Sequence, residues 1–450
     1  MKKWMLVYDT HCRAVEKLFA VVQPYLDYSL VCSTQEDNAF NTIKISTDAT
    51  MEGFKINVSE SDGETQTIEI IGQDEIHLLY GVVDFKNIYL PYAKDAGQHN
   101  PIYYFHPLFS QPMKPYHYAT KAKIKERGIW LWGYTMYDYR RFIDNMTELK
   151  LNTLIIWNDC LPINMSDVIS YAHANGVRVH LGYSWGWDDK QTDQLSELVM
   201  PNSLTRLSDN IVKEYETKYA TLNCDGIYFQ SFTEHATDTI NGIVVAQAVV
   251  DLVNQTACRL LEVYPDLKLL FGLHASSVNN RLDVIQTVDP RISIIWEDVG
   301  AFPYHYSPDR IDNFDQTLAL NNALQDLRQN GGFGAVLKGV ICLDWSSFEH
   351  LKGDYILGVA ERDYIQQRTL KQKEILRYIQ AYWIRNAKYP HALIQQFHED
   401  AMITCLVEDG MFENLINYPM ALYAQMLWDS NRSTEDIMCQ TALMPCVDFV

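Results

Sequence analysis

Apolar and polar positions along the chain follow two successive rhythms. In the first, short apolar or alternating runs predict strands at Lys3–Tyr8, Thr42–Ser46, Phe54–Ser59 and Thr67–Gly72. Helical spacing predicts one helix over Arg13–Leu26 and a second from Glu75 to about Tyr89. Together they predict a small α/β domain over residues 1–115. The stretch from Pro91 to Tyr118 is rich in proline and aromatics and carries no period, as expected of a connector.

From Lys125 the rhythm becomes strand, polar tip, helix, repeated. The predicted strands are Arg127–Trp132, Thr153–Asn158, Arg178–Tyr183, Gly226–Ser231, Lys268–His274, Ser293–Glu297 and Gly339–Trp345. The helices between them centre on Tyr139–Leu149, Met165–Ala174, Leu204–Tyr219, Ile240–Tyr264, Arg281–Thr287 and Thr317–Gln329. Seven strands in this order predict a TIM (β/α)8 barrel, with Asp354–Gly358 as the candidate eighth strand. Helical pattern then covers Tyr364–Ala387, His391–Cys405 and Tyr418–Trp428. The expected fold class is α/β: a small N-terminal α/β domain (1–115), a central TIM barrel (116–361) and a C-terminal helical region (362–450).

Composition narrows the partners. With 450 residues, 47% of them hydrophobic, the chain can build more than one core. A net charge of -20 argues against nucleic acid or an anionic membrane as partner. No apolar run reaches the length of a membrane span. Nine dispersed cysteines without metal-ligand spacing read as reduced thiols, and the apolar start at Trp4–Tyr8 stops at Asp9, too soon for a signal peptide. A cytoplasmic location is the expectation, with the oligomeric state left open, a dimer included. No cofactor or metal is expected.

Alternate residues of a barrel strand face the axis. One parity here is nearly all apolar, as in Leu154 and Ile156, Ile227 and Phe229, Leu269 and Phe271, Ile341 and Leu343, and should face the helices. The other reads Trp130 and Trp132, Trp157 and Asp159, His180 and Ser184, Tyr228 and Gln230, Gly272 and His274, Ser293 and Glu297, Cys342 and Asp344. Its polar members converge on the C-terminal ends of the strands, where barrel enzymes keep their sites. Carboxylates alternate there with flat aromatics. An aromatic ring stacks on the apolar face of a sugar, and a carboxylate pair supplies the acid and base of glycosidic cleavage.

Each candidate has a plainer role beside the chemical one. Glu234, past strand four, is the expected general acid or else an acid of the loop before the next helix. Glu297 and Asp298 end strand six; parity favours Glu297 for the axis, and a salt bridge to Arg310 is the alternative. Asp344 is a third catalytic candidate or a cap. For substrate binding the candidates are Asp159, Trp157, Trp185, Trp187, Gln230, His274, Trp296, Tyr304 and Trp345, of which Trp185, Trp187, Trp296 and Trp345 stand at or past strand ends as sugar platforms. His180 and His274 read as hydrogen-bonding residues. Gly331-Gly332-Phe333-Gly334 lacks the strand before and the Lys-Ser/Thr after that a phosphate loop needs, and reads as a flexible loop.

Lys125-Glu126-Arg127-Gly128-Ile129-Trp130, then Tyr139–Met146, then Leu151-Asn152-Thr153-Leu154-Ile155-Ile156-Trp157 resemble the opening of exo-acting glycoside hydrolase barrels. Gly72–Tyr89 is similar to the last helix of the small domain preceding the barrel in β-hexosaminidases and α-glucuronidases. The helical tail is similar to that of α-glucuronidases and α-N-acetylglucosaminidases. Where β-hexosaminidases end strand four in an adjacent Asp-Glu pair, this chain has Gln230 and then Glu234. The resemblance implies an exo-glycosidase acting on an oligosaccharide or glycoside, α-glucuronidase-like first and N-acetylhexosaminidase-like second. The competing class is a non-catalytic carbohydrate-binding barrel.

Overall fold

The computed structural model describes residues 2–63, 65–94, 108–132, 136–158, 160–182, 203–229, 239–273, 280–299, 314–328, 331–338, 353–407 and 412–450. The chain divides into two compact units, Met1–Ala122 with Glu435–Val447, and Lys123–Thr434 with Asp448–Val450.

The first unit is a six-stranded mixed sheet with helices. In sheet order its strands are Val31–Ser33, Trp4–Tyr8, Asn41–Thr47, Thr67–Gly72, Phe54–Val58 and Tyr116–Thr120. The predicted alternation is visible in Phe54, Ile56 and Val58, which are buried while Lys55 and Asn57 between them are not. The helix Glu75–Asp84 starts where the Asp74 side chain accepts a hydrogen bond from His77 N at 2.8 Å, satisfying an end donor. Gly81 lets this helix lie close on the sheet: a Cβ there would sit 2.7 Å from Ile70 Cγ2. The connector is less irregular than its sequence suggests, because Tyr116–Thr120 pairs antiparallel with Phe54–Val58 and carries the sheet beyond residue 115.

The second unit is a closed barrel of eight parallel strands. They are Glu126–Trp132, Thr153–Trp157, Arg178–Gly182, Gly226–Phe229, Lys268–Leu273, Ile292–Val299, Phe333–Leu337 and Met402–Leu406. The first six fall where expected. The seventh is a correction: it is Phe333–Leu337, so the Gly-Gly-Phe-Gly segment opens a strand, while Gly339–Trp345 lies outside the described residues. Asp354–Gly358 is not the eighth strand. It is a strap across the loops after strands one and two, where Tyr355 O accepts from Ile163 N at 2.9 Å and Gly358 N donates to Met136 O at 3.1 Å. Asn164 fixes the same strap, donating to Leu357 O and accepting from Leu357 N, both at 2.8 Å.

The eighth strand is Met402–Leu406, which pairs with strands seven and one and closes the barrel. The helices Arg362–Asn386 and Lys388–Gln396 are therefore the crossover between strands seven and eight. The helix Tyr418–Trp428 covers the seam. It is capped by Asn417, which accepts from Met420 N at 3.0 Å, and carries Pro419 in its first turn. Its Tyr423 hydroxyl reaches the carbonyls of Gly128 (3.0 Å) and Ile403 (3.1 Å), one from each strand of the seam. A further correction concerns Ile240–Tyr264. The helix begins at Val245, preceded by a two-residue-turn hairpin of Thr239–Ile240 and Ile243–Val244. Asn241 and Gly242 supply the two positive φ angles that turn requires.

The barrel interior is packed. Trp130, Ile155, Trp157, Tyr228, Leu270, Ile295, Val336, Met402 and Leu406 form one buried cluster, all of one strand parity. The opposite parity, including Leu154, Ile156, Ile227 and Phe271, is buried on the outer side under the helices. Burial on both faces explains why these strands read as continuous apolar runs. At the N-terminal end Glu126 bridges Lys268 (2.6 Å) and Arg178 (3.4 Å), joining strands one, five and three.

Candidate active site

Glu297 lies at the C-terminal end of strand six, and its carboxylate turns to the axis. It is 8% exposed. Oε1 accepts a 2.5 Å hydrogen bond from the hydroxyl of Tyr228, which rises from strand four and is fully buried. The contact passes over strand five, whose residue there is Gly272. A Cβ at position 272 would overlap Glu297 Oε1 and come within 2.6 Å of the Tyr228 hydroxyl. The pairing between strands six and seven shifts register between Trp296 and Val299, so a bulge sits where Glu297 is presented. Such irregularities re-aim side chains at strand ends.

Tyr228 is held for this contact. Its ring packs edge-on against Trp130, centroids 5.9 Å apart at 62°. Burial raises the phenol well above its ordinary value, and the Glu297 charge beside it, which the phenol's hydrogen bond meets, raises it further. The phenol therefore stays neutral and donates. Trp157, 7% exposed, lies over a second glycine, Gly182 on strand three, which has no side chain to displace it. Two glycines thus make room inside the barrel for one indole and one carboxylate.

Below them His180 is buried, and among the described residues neither ring nitrogen meets a hydrogen-bond partner. Burial holds its pKa well below the usual imidazole range, and the charges of Lys268 and Arg178 add to the effect. It is a neutral core residue on the axis.

Trp296 is also placed differently from expectation. It is fully buried on the face of strand six away from Ile295 and Glu297, because neighbours on a strand point opposite ways, so it does not offer a platform at the barrel mouth. The backbone of Asp298 continues strand six, its side chain not being among those described. Glu234, Asp344, Asp159, Trp185, Trp187, Gln230, His274, Tyr304 and Trp345 all lie outside the described residues.

Two residues at this end have roles that sequence reasoning missed. Tyr228 was legible as an axial residue of strand four, but nothing local marks it as a partner for a carboxylate on strand six. Glu413, after strand eight, is 1% exposed and accepts from the backbone N–H groups of Tyr137 and Asp138. It pins the loop after strand one to the loop after strand eight. Its role depends on a strand that the pattern did not reveal.

No family model matches the chain, and no curated protein matches it. Among solved structures it superposes on a GH138 enzyme targeting pectin rhamnogalacturonan II with a TM-score of 0.53 and 11% identity, over 96% of this chain and 52% of that one. At that identity the likeness is one of fold alone. This chain spans about half the length of that pectin-targeting enzyme. A GH18 chitinase from Pseudoalteromonas aurantia aligns over 64% of this chain and 98% of its own, with a TM-score of 0.41 and 11% identity. A GH5-4 broad specificity endoglucanase from Clostridum cellulovorans aligns over 70% of this chain and 100% of its own, with a TM-score of 0.37 and 12% identity.

Proposed function

We propose that the protein is an exo-acting glycoside hydrolase that removes a terminal sugar from an oligosaccharide by carboxylate acid/base catalysis. The observation that carries this reading is Glu297: a buried carboxylate on the barrel axis, at the end where barrel enzymes do chemistry, held by a neutral phenol. A packed core has no use for such a group, since burying a carboxylate costs several kcal/mol unless the charge is satisfied.

In this scheme Glu234 gives its proton to the glycosidic oxygen as the bond to the anomeric carbon breaks. Glu297 takes a proton from a water whose oxygen forms the new bond to that carbon. The two carboxyl groups exchange protons with solvent before the next turnover. Asp298 and Asp344 are the other carboxylates that would hold the water, or one of the three would attack directly and form a covalent intermediate. We favour a separation of roughly 6.5–9.5 Å between acid and base, with inversion, because strand five intervenes between strands four and six. Trp185, Trp187 and Trp345 would supply sugar platforms above the site. An α-glucuronidase-like specificity stands first and an N-acetylhexosaminidase-like one second. The like-folded pectin-targeting enzyme is a reason to include plant oligosaccharides among the substrates tried.

The test is a screen of aryl glycosides and short oligosaccharides, with the product anomer read by proton NMR. Turnover that falls at least about a thousandfold in Glu297→Gln supports the reading. Glu234→Gln should abolish cleavage of natural linkages and spare much of the activity on aryl glycosides with good leaving groups. Sugar binding without turnover of any substrate would make this a carbohydrate-binding barrel.

A further inference from the structure

We propose that Tyr228 is a positioning residue that fixes Oε1 of Glu297 and favours its ionised form, so that Glu297 serves as base or nucleophile and not as proton donor. The inference rests on the hydrolase reading and deepens it by dividing labour between the carboxylates.

The argument is one of donors and acceptors. A phenol has one hydrogen to give, and that of Tyr228 goes to Glu297 over 2.5 Å. The ring cannot swing away: it is buried on strand four with Trp130 against its edge. A hydrogen bond donated to a carboxylate stabilises the charged form and disfavours protonation. That suits a group that must accept a proton or attack carbon. It is the wrong arrangement for a general acid, which must begin protonated and lose its proton in the transition state. Glu234, which follows strand four in the sequence, is then left as the proton donor. Gly272 belongs to the same device, because any side chain there would separate donor from acceptor.

The experiment compares wild type and Tyr228→Phe, which keeps the ring and removes the donor. With the best substrate of the screen, the acidic limb of the kcat/KM profile should move up by about one pH unit in the variant, with about tenfold lost at the acid end and less above neutrality. An equal loss at every pH, with the limb unmoved, would make Tyr228 a packing residue only and overturn the proposal. A second arm needs no turnover. In protein carrying glutamate labelled with carbon-13 at the carboxyl, the Glu297 signal, assigned through Glu297→Gln, should be ionised across pH 5–7 in wild type and titrate at higher pH in Tyr228→Phe. A protonated Glu297 in that range, or a titration indifferent to the substitution, overturns the proposal. Should wild type cleave nothing, the hydrolase reading falls by itself, while the labelled carboxylate still decides whether Tyr228 controls Glu297.

Discussion

Gly272 and Glu297 occupy one volume between them: the space that a side chain would take on strand five is filled by the carboxylate from strand six. Glu297 can face the Tyr228 hydroxyl only because residue 272 has no Cβ. Two groups would collide with a Cβ there, the far end of the flexible Glu297 side chain and the hydroxyl of the buried Tyr228 ring, so the carboxylate can move aside but the ring must also shift.

Gly272→Ala should therefore fold with a stability loss of about 1–3 kcal/mol, the usual cost of overpacking one buried site. Activity should fall about a hundredfold, since a shift of about 1 Å in a catalytic group is enough for that. Thermal denaturation beside kcat/KM checks the pair. Near-normal activity would mean that the position of Glu297 is unimportant.

His180 predicts a pH dependence of stability. Its folded pKa lies well below the ordinary value of 6.5, through burial and then the charges of Lys268 and Arg178. Below pH 6.5 the unfolded chain takes up a proton that the folded chain refuses. The stabilising contribution is thus present above the unfolded pKa and is lost as pH falls from there toward the folded pKa. Urea unfolding of wild type and His180→Leu at pH 7.5 and 5 should show a smaller loss in the variant. Equal losses would remove His180 from the acid response.

The charge bridge at the N-terminal end of the barrel is half open to water, and its contribution is modest. Glu126 is 18% exposed, Lys268 31% and Arg178 43%. Glu126→Gln leaves the two cations facing each other and should cost about 1 kcal/mol, less at high salt because the partners are screened. Denaturant midpoints at two ionic strengths measure this, and kcat should not change.

The seam between strands eight and one offers a chemical probe. Cys405 is fully buried on strand eight, and burial pushes its thiol far above the usual range. Cys32, Cys258 and Cys439 are exposed. A thiol reagent should label these three at once and reach Cys405 only when the barrel opens. Tyr423→Phe removes the hydroxyl between the Gly128 and Ile403 carbonyls, and should cost about 1–2 kcal/mol and speed labelling of Cys405. Fast labelling in the untreated protein would contradict a closed seam.

Much of this architecture can be read from local pattern. The apolar runs of the first six barrel strands, buried on both faces, are bounded by turn residues and end within two positions of the observed strands wherever those ends are described. The helix Tyr418–Trp428 begins and ends where its apolar pattern does. The period of two assigns Trp130, Trp157, Tyr228 and Glu297 to the axis before any contact is known, because the pleat allows no other choice once the outer parity is apolar.

What local pattern does not carry is closure and pairing. Met402-Ile403-Thr404-Cys405-Leu406 is five buried residues beside a helix, and so short an apolar run suits a strand or a helical turn equally. Only its place between strands seven and one makes it the eighth strand. The bond between Tyr228 and Glu297, and the gap at Gly272 that admits it, belong to three different strands. Each residue is ordinary in its own segment. Their relation exists only once strand five lies between four and six, because a side-chain contact across a barrel is set by register and curvature, which no single stretch of chain contains.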